Sequence, residues 1–210
     1  RFTDPDNKKE ITSYERLTCR QMQELVGMDE AETDPDTDIN VKPGQDRDSK
    51  EGDYLIVTKE YSDCSDNYNG YTYLNTMKKE AVQEFIDSTY EKYRKLLPDR
   101  EWKLNQGMFT DEPHRGAFLS PFSEGNKFSI PYTDELENMF LQRFGYELYD
   151  YLPEIYFRLE GKPISRVARD YLELTEELFL TSYMKPIHDW CRENGVVLTG
   201  HLLHEDSLSS

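Results

Sequence analysis

With 210 residues the chain has room for one ordinary domain with a real core, and not for two large ones. Forty-two acidic against twenty-five basic residues leave a net charge of −17, which repels phosphate backbones and anionic lipid and disfavours nucleic acid and membrane surfaces as partners. Hydrophobic content of 36% and a mean hydropathy of −0.86 are low, but fifteen Tyr and ten Phe supply large burial areas and argue against a disordered chain.

The three cysteines, Cys19, Cys64 and Cys191, are far apart and form no CxxC pair, so neither a disulfide framework nor a zinc knuckle is expected. No apolar run approaches the roughly eighteen residues of a membrane span, and no signal peptide is visible. A neutral ligand, a cation or a metal ion suits the charge best.

In chain order, Tyr14–Val26 has the three- and four-residue apolar spacing of a short helix. Residues 29–53 are dense in Asp, Pro and Gly and read as an acidic loop; residues 1–53 as a whole form an N-terminal segment distinct from 54–210. Tyr54-Leu55-Ile56-Val57-Thr58 is an apolar, β-branched strand candidate. From Lys78 to Leu97, the positions Val82, Phe85, Ile86, Thr89, Tyr90, Tyr93 and Leu97 predict an amphipathic helix closed by Pro98. Gly107–Thr110 predicts a strand running into Asp111-Glu112-Pro113, with Pro113 favouring an extended Glu112. A loop at 114–132 precedes helical stretches near Asp134–Phe144 and Glu147–Leu159, separated by Gly145. A long helix is predicted from Ile164 to Glu193, with Val167, Tyr171, Leu174, Leu178 and Tyr183 on one side and a kink at Pro186. It stops at Asn194-Gly195, and Val196–Thr199 is the last strand candidate.

Strands alternating with helical crossovers imply an α/β fold with neighbouring parallel strands. Three strands alone would leave parallel edges exposed, so the expectation is part of a larger barrel. Ligands of such folds sit beyond the carboxyl ends of the strands. There the chain places Asp111, Glu112 and His114 after one strand and His201, His204 and Glu205 after another, using three of its four His. Glycoside hydrolysis needs two carboxyl groups flanking a sugar bond, one to protonate the leaving oxygen and one to activate water or attack carbon. Glu112 and Glu205 are the candidates for that pair. Asp111, His114, His201 and His204 are candidates for binding substrate, and Phe118, Phe122 and Phe128 for a wall on which a sugar ring stacks. A metal reading takes Asp111, His114, His201 and Glu205 as ligands.

Several of these stretches resemble the barrel domain of the large bacterial α-L-rhamnosidase-like enzymes, glycoside hydrolase family 106. They are Tyr73-Leu74-Asn75 with Ala81-Val82, Phe109-Thr110-Asp111-Glu112-Pro113, Phe144-Gly145-Tyr146-Glu147-Leu148 with Leu152-Pro153, Lys185–Cys191, and Thr199-Gly200-His201. The similarity covers roughly residues 54–206, and the Asp-Glu-Pro and Thr-Gly-His strand ends are its most specific parts. It implies part of a (β/α)8 TIM-type barrel with long crossover helices, and inverting hydrolysis of terminal α-L-rhamnosyl groups with calcium helping to hold the sugar. Carried over by position, Glu112 becomes the general acid, and Glu205 a base or ligand-binding candidate. The remaining barrel strands, or other domains of a longer protein, are then expected partners. The competing expectations are a non-catalytic carbohydrate-binding or degenerate barrel, and a metal-dependent hydrolase of another bond.

Overall fold

A computed structural model describes residues 10–11, 57, 59, 61–115, 130–159, 161–162 and 165–203. The elements run β1 (Glu10–Ile11), α1 (Lys79–Phe85), α2 (Glu91–Leu96), α3 (Asp99–Trp102) and β2 (Gly107–Asp111). They continue with α4 (Leu136–Phe144), α5 (Pro153–Tyr156), β3 (Arg158–Leu159), α6 (Arg166–Phe179), α7 (Lys185–Glu193) and β4 (Val197–His201). The helix read at Tyr14–Val26 lies outside the described residues. So does the strand read at 54–58, apart from Val57, which is 45% exposed and in no strand.

Val82, Ile86 and Tyr90 recur every four residues and are all buried, which makes α1 and α2 one amphipathic helix. The two parts are joined by a π turn at Ile86–Tyr90, where the Glu91 N–H donates to the Ile86 carbonyl five residues back. A straight 3.6-residue period does not carry through that wider turn. Tyr93 beyond it is 55% exposed, and Leu97, past the last helical residue and extended, is 38% exposed, so neither is the core position its spacing suggested.

The long helix read at 164–193 is α6 and α7 in continuous succession. Ser165 caps it by accepting the Ala168 N–H. At the kink expected near Pro186, a π turn at Leu180–Met184 stands just before the proline, with the Lys185 N–H bonded to the Leu180 carbonyl. Proline then occupies the first turn of α7, where its missing N–H costs little. The predicted helix at 147–159 is corrected in its second half. A 3₁₀ turn at Tyr149–Tyr151 and the single turn of α5 give way at Phe157, which is extended, to strand β3, paired in parallel with β1.

Two apolar clusters hold the described residues together. In the first, Val167, Ala168, Tyr171 and Leu174 of α6 pack with Leu136, Phe140, Leu148, Leu152 and Ile155. In the second, Phe179, Tyr183, Ile187, Trp190 and Cys191 pack with Val82, Ile86, Tyr90, Trp102 and Val196. Both indoles are satisfied: Trp102 donates to the Asn194 carbonyl at 2.9 Å and Trp190 to Glu91 Oε1 at 2.6 Å.

The second cluster supports one face of a two-stranded parallel sheet, β2 beside β4, in register from Gly107 opposite Val197 to Asp111 opposite His201. Met108 and Leu198 pack onto the cluster, and Thr110 Oγ1 pairs with the Tyr183 hydroxyl at 2.9 Å. The opposite face carries Phe109 and Val197, which are 59% and 62% exposed. Among the described residues the helical cover thus lies on one side of the pair. Gly200 is required by the pairing itself: a Cβ there would sit 1.9 Å from the Thr110 carbonyl oxygen, and its φ is +139°. Among the described residues no helix is long and apolar enough to cross a membrane.

Asp170 is the most deeply buried described acid, its side chain 2% exposed, against Arg169, Tyr146 and Arg166. Burial pushes its carboxyl up, but the Arg169 hydrogen bonds, the Tyr146 hydroxyl and Arg166 outweigh burial and hold it below the usual range. A depressed folded pKa gives stability that is complete above the unfolded value of about 3.9 and is lost as pH falls through the folded one. Asp170→Asn is therefore expected to lower stability at neutral pH, with the deficit shrinking in urea titrations below pH about 4. A deficit independent of pH would assign Asp170 a packing role only.

Candidate active site

Because β2 and β4 are parallel and in register, Asp111 and His201 lie opposite each other at the same end of the sheet. The pairing continues one bond further: the Glu112 N–H donates to the His201 carbonyl at 3.0 Å. Glu112 itself is not extended, as Pro113 led one to expect; its φ is +45°, in the left-handed region. The physical reason is a conflict at the strand end. The last ladder bond pins the Glu112 amide while the chain has to leave the sheet, and a left-handed turn meets both demands. For a residue with a Cβ that conformation costs on the order of 1–3 kcal/mol, and such strain concentrates at functional positions.

His201 lies between two carboxylates. Its Nε2 is 3.2 Å from Asp111 Oδ1 and its Nδ1 is 4.0 Å from Glu112 Oε1, and both contacts are ion pairs when the imidazole is protonated. The Phe109 ring meets the imidazole edge-on at 5.8 Å. The three side chains are 39% (His201), 76% (Asp111) and 54% (Glu112) exposed. Pairs this wet contribute little to stability, so the cluster is not explained by the fold's need for it.

The segment after Glu112 is anchored at three points. The Tyr73 hydroxyl accepts the His114 N–H at 3.1 Å, and Thr76 Oγ1 donates to the His114 carbonyl at 2.7 Å. Arg115 donates to Thr175 Oγ1 at 3.0 Å and lies 3.8 Å from Glu176; burial lowers its guanidinium pKa. The His114 imidazole is stacked on the Tyr73 ring, with centroids 4.2 Å apart and planes within 3°.

Of the residues read from sequence, Asp111, Glu112 and His201 are thus brought together at one strand end, and His114 lies two residues on, against Tyr73. Glu205, His204 and the ring wall of Phe118, Phe122 and Phe128 lie outside the described residues. Among the described residues no group of three or more His, Cys, Asp or Glu is arranged to hold a metal ion. Glu205, the fourth ligand of the metal reading, lies outside the described residues. Tyr73 and Thr76 join the site although neither was among the strand-end residues read from sequence, and Arg115 belongs to the same strand-end run as Asp111 and Glu112. The signal for Tyr73 was present in the density of tyrosines at 68, 71 and 73; Thr76 and Arg115 act through contacts distant in sequence.

Compared with models of known protein families and with curated proteins, the chain matches none.

Proposed function

We propose that the chain is the catalytic portion of an inverting glycoside hydrolase that removes terminal α-L-rhamnosyl groups from polysaccharides, and that it forms part of a (β/α)8 barrel. The observation that carries this reading is the strained, pinned Glu112 at the C-terminal end of a parallel strand, beside the Asp111–His201 pair. Parallel α/β enzymes keep their chemistry at that end. The one-sided helical cover of β2 and β4, with Phe109 and Val197 on the bare face, supports the barrel: its strands carry helices outside and fill the interior with their other side chains.

In this reading Glu112 donates the proton to the leaving oxygen while water attacks from the opposite side of the sugar ring, activated by a second carboxylate for which Glu205 is the candidate. Asp111, His114, His201 and His204 bind hydroxyl groups, which suit both carboxylate acceptors and imidazole donors. A general acid has to hold its proton, which desolvation promotes. Glu112 is 54% exposed, so in this reading the bound sugar supplies that desolvation.

The same exposure favours a second reading, a carbohydrate-binding or degenerate barrel that uses this acidic rim without turnover. The family resemblance also implies calcium at the sugar. Calcium takes about 6–8 oxygen ligands, and the described residues gather no such set; no step here runs through a metal.

The test is the stereochemistry of the first-formed product from an aryl α-L-rhamnoside, followed by proton NMR before mutarotation. The expected product is β-L-rhamnose. Initial release of the α-anomer removes the inverting mechanism, and binding without any release moves the assignment to the second reading.

A further inference from the structure

A second feature lies against this site and no step above uses it. Residues 65–73 read Ser-Asp-Asn-Tyr-Asn-Gly-Tyr-Thr-Tyr, and the chain folds back on itself there. Ser65 N–H donates to the Tyr71 carbonyl, while Tyr68 and Gly70 N–H both donate to the Ser65 carbonyl, each at 2.9–3.0 Å. Ser65 also caps the 3₁₀ turn Asp66–Tyr68 through its hydroxyl, and Asn69 takes a left-handed conformation to close it. A turn held by this many bonds fixes its backbone and so the points from which its side chains leave.

What it holds are tyrosines. Tyr71 is 74% and Tyr68 39% exposed. Tyr68 touches Tyr73 at 5.4 Å between centroids, and Tyr73 stacks on His114. A row of rings therefore leads from the exposed turn to the segment that follows Glu112. Rings carried on a fixed turn beside the site are placed to stack against the apolar face of a ligand. Its neighbours in sequence, Asp66, Asn67 and Asn69, are hydrogen-bonding groups without positive charge. The net charge of −17 disfavours a polyanionic occupant. A neutral ligand with apolar faces and hydroxyl edges fits both properties, and a sugar ring is such a ligand.

We infer that Tyr68 and Tyr71 form a saccharide subsite that binds the part of the substrate chain remote from the terminal sugar; this rests on the glycosidase reading above. The test is calorimetric binding of a rhamnose-terminated tetrasaccharide and of free L-rhamnose to the parent protein, Tyr71→Ala and Tyr68→Ala, with hydrolysis followed separately. Truncating exposed rings spares the core. The expected result is tetrasaccharide binding weakened about five- to tenfold by either change, with L-rhamnose binding unaltered. Unchanged tetrasaccharide binding, or an equal loss for L-rhamnose, overturns the subsite. Tyrosine-dependent binding by a parent protein that never hydrolyses the tetrasaccharide upholds the subsite and overturns the catalytic reading. Hydrolysis that is indifferent to both tyrosines does the reverse, and a parent protein that binds no saccharide overturns both.

Discussion

Under the proposed glycosidase function, Glu112→Gln is expected to lower turnover on α-L-rhamnosides by about 10²–10⁴-fold, the usual contribution of a positioned proton donor, with KM little changed. The amide keeps the volume and reach of the carboxyl and lacks only the transferable proton. The side chain is half exposed, so no buried partner is orphaned by the change, and circular dichroism and melting temperature should match the parent. Near-parental turnover would remove Glu112 from the mechanism. A companion variant separates strain from chemistry. Glu112→Gly relieves the +45° φ and should raise stability by about 1 kcal/mol, while turnover falls as in the Gln variant. A residue that is costly to the fold and indispensable to the reaction is what a functional position predicts; a Gly variant less stable than the parent would say that the conformation is no burden.

Gly200→Ala is the structural counterpart, with the larger expected effect on folding. The added methyl group would lie 1.9 Å from the Thr110 carbonyl oxygen and 2.9 Å from its carbon, and φ is +139°. Backbone does not yield as a side chain does, so β2 and β4 must separate or the residue must change conformation. Strain and overpacking together cost about 2–6 kcal/mol, a large share of the roughly 5–15 kcal/mol that stabilises a domain. Gly195→Ala is the control. Its φ is also positive, +72°, but nothing lies within 4 Å of the added carbon, and about 1 kcal/mol is expected. Urea denaturation of both variants decides the matter: equal losses would mean that the strands do not approach as closely as the register requires.

The parts of the fold visible in the sequence were those whose periodicity follows from burial on one side. Val82, Ile86 and Tyr90 announced a helix because a four-residue repeat has to face a core, and Met108 and Thr110 lay between glycine and acid in a run too short for anything but a strand. The parallel pairing of β2 with β4 followed from the helices between them. The π turns were hidden, because Ile86–Tyr90 and Leu180–Met184 keep helical composition while altering the hydrogen-bond step. The brief strand at Arg158–Leu159 was hidden too, since pairing with β1 is decided by a partner nearly 150 residues away. At the site, Asp111, Glu112 and His201 were legible as strand-end residues. The backbone of Glu112 was not, because the rule that residues before proline are extended takes no account of a ladder bond that pins the amide.

One consequence follows from the uninterrupted run of α6 into α7. An α-helix advances about 100° in azimuth per residue, so the wider step at Leu180–Met184 resets which way every later side chain points. Val167, Tyr171 and Leu174 pack into one apolar cluster, and Ile187 and Trp190 into the other. The segment is a common axle. Tyr183, at its wide step, also grips Thr110 one residue before the carboxylate row, so one continuous helix both packs against Phe140 and braces the strand that carries Asp111.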